Sequence, residues 1–87
     1  MIPSKYIVWT DRSHSWIEVN KTELIHLGIL DKISKYSYEK GDKIYLEEDV
    51  DAGIFLKNIK SKDYELDEIY EEVSRIRKYK PFTGGMQ

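Results

Sequence analysis

The spacing of apolar positions changes along the chain, and each spacing predicts a different element. Residues 5–10 (Lys-Tyr-Ile-Val-Trp-Thr) form a short run of β-branched and aromatic side chains, which is typical of a buried strand. Residues 11–15 have the polar composition of a turn, and Trp16, Ile17 and Val19 then predict a second strand. We expect these two strands to pair as a hairpin.

A short helix is predicted after this hairpin. Asn20-Lys-Thr-Glu23 is a variant of the capping box, in which the Asn20 side chain accepts a backbone N–H and the Glu23 side chain reaches back. Gly28 is the expected end of this helix, because glycine readily adopts the left-handed conformation of a helix stop.

The middle of the chain predicts a second hairpin followed by a second helix. Residues 36–46 place apolar side chains on both sides of a polar turn, in which Gly41 is free to take a positive φ. The next helix begins at Asp49 or Asp51 and extends to about Lys60, and its apolar residues repeat at helical spacing. These residues are Ala52, Phe55, Leu56 and Ile59.

Residues 64–78 fit two structures. Five apolar residues are spaced like one face of a helix, acidic residues come before basic ones, and Pro81 ends the run, so a helix is favoured. The alternative is a strand followed by a loop, in which Tyr64 and Leu66 extend the sheet. The patterns together predict an α+β protein with a small, mainly antiparallel sheet of about four strands and two or three short helices. We expect one compact domain over residues 1–82 and a flexible tail at 83–87.

Composition narrows the class of protein. A chain of 87 residues has room for a single modest core, so a monomer or a homodimer is expected. There are no cysteines, which excludes a disulfide framework and thiol catalysis, and no apolar run approaches the length of a membrane span. The net charge of -2 argues against strong non-specific binding to nucleic acid. These features predict a cytoplasmic protein without a membrane partner.

The candidate binding residues combine aromatic rings with charge, as interface hot spots often do. They are Arg12, His14, Trp16, Tyr36, Tyr38, Arg75, Arg77 and Tyr79. Roles in turns, in the core or at helix ends are the alternative interpretation. Neither His14 nor Arg77 completes an apolar stripe, so we expect both to be dispensable for folding.

The sequence carries no phosphate-binding loop, nucleophile elbow or metal-binding helix motif. His14 is a candidate general base, but the sequence shows neither a second histidine at a matching spacing nor a nucleophile with a known partner. Glu48, Asp49 and Asp51 are weak candidates for a hard cation, since they lack the ligand spacing of a calcium loop. Both aspartates suit a helix N-terminus better. We therefore predict no catalytic residue, no metal site and no cofactor.

Several short motifs, taken in order, resemble a family of small uncharacterised proteins encoded by bacteriophages and other mobile elements. The motifs cover most of residues 11–82, and Ser15 stands where members of that family usually have glycine. They are Ser13–Val19, Leu24 with Leu27–Ile29, Asp31–Ser34, Tyr36–Tyr38, Gly41–Asp42, Tyr45–Ala52, and Ser74–Arg77 with Tyr79. The resemblance implies an accessory protein that acts inside a bacterial host cell, and it also leans towards a strand within residues 63–72.

The function expected from these observations is the binding of a host or phage protein, and a host-defence inhibitor is one concrete form of it. A nucleic-acid-binding module that uses an aromatic sheet face is the alternative, and a small metal-dependent hydrolase is the third class.

Overall fold

Six strands form one sheet within residues 4–59 and 63–83, which are the residues described in a computed structural model. The strands are β1 (Ser4–Thr10), β2 (Ser15–Asn20), β3 (Tyr38–Lys40), β4 (Lys43–Glu47), β5 (Tyr64–Tyr70) and β6 (Lys80–Pro81). Their order across the sheet is β5-β1-β2-β4-β3-β6. The β1–β5 pair is parallel and the other four pairs are antiparallel.

Two α-helices, α1 (Lys21–His26) and α2 (Asp51–Asn58), accompany the sheet, with 3-10 turns at Leu30–Lys32 and Arg75–Lys78. The predicted α+β class and both hairpins are confirmed. The expected count of about four strands is wrong, because β5 and β6 add two edge strands. Within the described ranges, no helix has the length and hydrophobicity needed to cross a bilayer.

The main core lies between the two helices and one face of the sheet. Phe55 of α2 and Leu24 of α1 are fully buried there, and the Tyr6 ring meets the Phe55 ring edge-on at 5.1 Å. The predicted stripe of α2 is confirmed. Ala52, Phe55 and Ile59 are buried, and Leu56 packs against the same cluster.

The expected capping box of α1 does not form. The Asn20 side chain makes no cap hydrogen bond and instead accepts one from Lys43 Nζ at 2.5 Å. The Glu23 carboxylate accepts the Tyr6 hydroxyl at 2.7 Å. Gly28 does take the predicted left-handed conformation, with φ of 71°. The side chains of Asn20 and Glu23, which the local pattern assigned to the N-terminus of α1, therefore bond to residues that are distant in the sequence.

The preference for a helix over residues 64–78 is also wrong. Residues 64–70 form β5, and only residues 75–78 are helical, as a 3-10 turn. The chain then crosses the second face of the sheet, from β5 at one edge to β6 at the other. Ile76 is buried on this face with Trp16 and Tyr45. The C-terminal segment therefore covers the aromatic face. Residues 84–87 of the predicted tail lie outside the described residues.

Candidate binding pocket

A surface pocket of about 420 Å³ lies where the β1–β2 turn, the loop before β3, the β4–α2 junction and the C-terminal 3-10 turn meet. Its lining includes five of the eight predicted binding residues. They are His14, Trp16, Tyr36, Tyr38 and Arg77, and they are joined by Ser15, Glu47, Glu48, Asp49 and Val50. Segments far apart in the sequence thus form one site.

The floor of the pocket is aromatic. Trp16 is 3% exposed and meets the Tyr38 ring edge-on, with 6.2 Å between ring centroids. The His14 ring lies 6.0 Å from Trp16, and the Arg77 guanidinium lies over Trp16 at 5.4 Å from the ring centroid. Cation–π contact and edge-on aromatic packing both favour this arrangement. The floor is therefore aromatic, with the Arg77 guanidinium packed over it.

Asp11 connects the β1–β2 turn to the C-terminal segment. Its Oδ1 accepts the backbone N–H groups of Ser13 and His14 at 3.0 and 2.9 Å, which closes the turn. Its Oδ2 accepts the backbone N–H of Ser74 at 3.1 Å and Arg77 Nε at 2.5 Å. Arg77 Nη2 completes a bidentate pair with Oδ1 at 3.1 Å. The carboxylate thus places Arg77 beside Trp16.

This network corrects the expectation that Arg77 is dispensable for folding. The Asp11 side chain is only 2% exposed, and the hydrogen bond from Arg77 holds its pKa well below the usual range despite the opposing effect of burial. Removing Arg77 leaves a buried carboxylate without its counter-charge, which is unfavourable. Arg77 is therefore a structural residue as well as a pocket residue.

The acidic junction is built on Glu47, whose carboxylate caps the start of α2. Glu47 Oε2 accepts the N–H of Asp49 at 2.7 Å, and Oε1 accepts those of Val50 and Asp51 at 2.7 and 2.9 Å. Burial alone raises the pKa of Glu47, but these three N–H groups lower it more strongly. The cap therefore comes from the end of β4, whereas the sequence predicted it at Asp49 or Asp51.

Asp51 is the first residue of α2 and has a different role. It is fully buried, and its Oδ2 accepts the Ser34 and Ser37 hydroxyls at 2.7 and 2.6 Å and the Ser34 N–H at 2.9 Å. Ser37 in turn accepts the N–H of Glu47 at 3.0 Å. Asp51 thus holds the loop that carries Tyr36 and Tyr38. Among the described residues, its Oδ1 is the buried side-chain oxygen that has no hydrogen-bond partner.

The rim of the pocket combines exposed apolar groups with carboxylates. Tyr36 is 70% exposed and Val50 is 59% exposed. His14 Nδ1 lies 3.3 Å from Glu48 Oε1, with both side chains about half exposed. The Arg77 charge is already paired with Asp11, so Glu48 and Asp49 dominate the electrostatics of the rim. The rim therefore favours a ligand that carries positive charge on an apolar body.

Three predicted binding residues lie outside the pocket. Arg12 is on the exposed turn, 3.8 Å from Glu72. Arg75 stacks over the Trp9 ring at 4.7 Å and pairs with Glu71 at 3.0 Å. Tyr79 packs on Tyr45, with 5.1 Å between the rings. The last two have structural partners, in line with the alternative interpretation of these residues.

Two residues that shape the site were not predicted to do so. Asp11 was assigned only to a turn, and its contact with Arg77 crosses 66 positions of sequence. For Val50, the sequence signal is its position as the single apolar residue within the acidic run 47–51.

The weak metal candidates do not converge on one point. Glu48 faces His14, whereas Asp51 is buried among serines. Within residues 4–59 and 63–83, no group of three or more histidine, aspartate or glutamate side chains is placed to hold a metal ion. The carboxylates nearest the pocket floor, Asp11 and Glu47, already accept several hydrogen bonds each.

The fold and the pocket define a small α+β domain with an aromatic-floored surface pocket. Comparison of the chain with protein-family models, with curated proteins and with solved structures finds no match in any of the three. The resemblance to mobile-element proteins therefore stays a prediction from the sequence.

Proposed function

We propose that the protein acts by binding another protein, and that a lysine or arginine side chain of the partner enters the pocket. The observation that carries this proposal is the pair of exposed apolar residues, Tyr36 and Val50, at the rim of a pocket floored by buried Trp16. Exposed apolar groups around a preformed pocket are typical of protein-interaction sites. The stem of such a side chain packs on the rings, and its charge lies near Glu48 and Asp49.

A host or phage protein is the partner implied by the mobile-element resemblance, and inhibition of a host-defence protein is the corresponding activity. The site supports this proposal because binding needs only the preformed surface. Hydrolysis would need a free general base beside a nucleophile or a metal-bound water. In the pocket, the acid–base pair nearest that requirement is His14 with Glu48, and it is exposed on the rim.

One observation favours the second function class, nucleic-acid binding. A groove of about 520 Å³ is lined by three lysines, by Glu39 and by Tyr79, so it combines a net positive charge with an aromatic ring. The lysines are Lys40, Lys78 and Lys80. Against this class, Trp16 and Tyr45 are 3% and 6% exposed beneath the C-terminal segment, so they offer no surface on which bases stack.

Affinity capture from bacterial lysate tests the proposal, with each sample divided into nuclease-treated and untreated halves. A recovered protein is then titrated by calorimetry against the wild-type protein, Tyr36→Ser and the matched control Ile25→Ser. Ile25 is 55% exposed on α1, away from the pocket. We expect Tyr36→Ser to weaken binding about tenfold and Ile25→Ser to change it less than about twofold.

Two results contradict the proposal. Equal affinities of Tyr36→Ser and the control place the interface outside the pocket. Loss of all captured protein after nuclease treatment indicates a nucleic-acid ligand. The groove lined by Lys40, Lys78 and Lys80 is then the expected site.

A further inference from the structure

Strand β5 is a long and regular edge of the sheet. Its seven residues pair with β1 in continuous parallel register, from Ser4 with Tyr64 to Thr10 with Tyr70. Within the described ranges, no strand pairs with its outer side. Natural proteins usually protect such edges with bulges, charged side chains, prolines or very short strands. β5 is seven residues long, has no proline and pairs with β1 without a bulge, so the protection left to its outer side is the charge of its acidic side chains.

The direction of the backbone groups identifies which residues face outward. Glu71 donates its N–H to the Thr10 carbonyl of β1 at 2.9 Å. Because backbone groups alternate in direction along a strand, Asp67 and Ile69 also face β1. The N–H and C=O groups of Leu66, Glu68 and Tyr70 therefore point away from the sheet. They offer three donors and three acceptors to an added strand.

The side chains of β5 leave apolar surface beside this edge. Tyr64 packs against the core on the helix side, and alternation places Leu66 and Tyr70 on the same side. These two residues are 46% and 53% exposed, and Ile69 on the opposite side is 38% exposed. Charge alone would suffice to keep an edge unpaired, whereas exposed apolar side chains favour contact with another chain.

The charge of this edge distinguishes between possible occupants. Residues 63–72 contain six acidic residues and no basic one. Asp67 lies 3.8 Å from Lys5, whereas Glu65 and Glu68 have no ion-pair partner among the described residues. Two copies of the protein that paired through this edge would bring acidic strands together, which is unfavourable. A basic strand would complement it.

We propose that the outer edge of β5 is a docking site for an extended, lysine- or arginine-rich segment of a partner protein, which adds a seventh strand to the sheet. Backbone hydrogen bonds to Leu66, Glu68 and Tyr70 hold the segment, as in other cases of strand addition. Because side chains alternate between the two faces of a strand, basic side chains of the segment lie beside Glu65 on the face of Ile69, and its apolar side chains pack on Leu66 and Tyr70 on the opposite face. This surface is separate from the pocket.

Amide hydrogen exchange measured by NMR tests the site. The probe is a ten-residue peptide of alternating lysine and valine with blocked ends, added to isotopically labelled protein at low salt. We expect exchange to slow at Leu66, Glu68 and Tyr70 and to stay unchanged at Asp67 and Ile69, which already face β1. A peptide with glutamate in place of lysine is the matched control, and it should give no protection.

Charge variants provide the second measurement. Glu65→Lys should weaken peptide binding about tenfold, since it replaces an attraction with a repulsion. Asp42→Lys makes the same change of charge on the β3–β4 turn and should alter the affinity less than about twofold. Glu65→Gln keeps the shape of the side chain and should cause a smaller loss, so it maintains the test if Glu65→Lys unfolds. Tyr36→Ser should leave the protection of the β5 amides by the peptide unchanged, because Tyr36 lies at the pocket.

Three outcomes overturn the proposal. Protection of the outward amides without peptide, together with the mass of a dimer, identifies a second copy as the occupant. Equal protection by the glutamate peptide removes the role of charge. Binding of the lysine peptide that Tyr36→Ser abolishes, with no protection in β5, assigns the peptide to the pocket.

Discussion

Asp11 offers the sharpest test of how the pocket is assembled. In Asp11→Asn, the amide oxygen can keep the Oδ1 bonds to Ser13 and His14, but the NH₂ group then faces the N–H groups of Ser74 and Arg77. Two hydrogen bonds to a charged acceptor are lost, and we expect the free energy of unfolding to fall by about 3–5 kcal/mol. A chain of this length has about 4–13 kcal/mol in total.

Thermal unfolding followed by far-ultraviolet circular dichroism at pH 7 measures this loss. The expected decrease in Tm is at least about 12 °C. Asp31→Asn, which removes an exposed carboxylate, is the matched control and should stay within about 3 °C of the wild type. An Asp11→Asn midpoint equal to that of the control would refute the reasoning.

The pH dependence provides a second test of the same network. The ordinary pKa of aspartate is 3.8, and the Arg77 hydrogen bond lowers the pKa of Asp11 in the folded state. Below about pH 4 the unfolded chain therefore binds a proton that the folded protein does not. The stability that the Asp11 carboxylate contributes is present above about pH 4 and is lost as the pH falls below it. The difference between wild type and Asp11→Asn should shrink there, and a difference that grows would contradict the network.

Four further substitutions test the core, the α2 junction and the aromatic face. Phe55→Ala should lower the free energy of unfolding by about 3–5 kcal/mol in urea titrations, because Phe55 is fully buried; an unchanged midpoint would show that the core is misassigned. Asp51→Ala should cost about 2–4 kcal/mol in the same assay, since three donors lose their acceptor. Asp49→Ala should leave Tm within about 3 °C, and equal effects of the two changes would contradict their assigned roles. Burial, with Glu18 nearby, raises the pKa of Tyr45 to about 12, so Tyr45→Phe should remove a phenol that ionises near that pH in an alkaline titration followed by ultraviolet absorbance.

The sequence determined the elements whose side chains enter the core. The two hairpins and α2 have apolar residues at the spacing that their burial requires, and Gly41 is at the turn with φ of 62°. These predictions hold because a strand or helix with one buried face must repeat its apolar residues at the period of its backbone. Five of the predicted binding residues also line the pocket.

Only the tertiary structure decided where the edge strands and the polar contacts lie. β5 has no continuous buried face, so its apolar residues do not alternate as those of a half-buried strand do. Their spacing matches one face of a helix instead, and the prediction of a helix was therefore wrong. The capping signals failed for a related reason. Asn20 and Glu23 bond to Lys43 and Tyr6, which the fold brings near them.

The same limit explains Asp11 and Arg77. Their pairing depends on the C-terminal segment crossing the second face of the sheet between β5 and β6, over 66 positions of sequence. A polar side chain can form hydrogen bonds or ion pairs with several other residues, and the local sequence does not indicate which of these contacts forms. The long-range path of the chain selects one, and in this protein that choice places the guanidinium over Trp16 and completes the pocket.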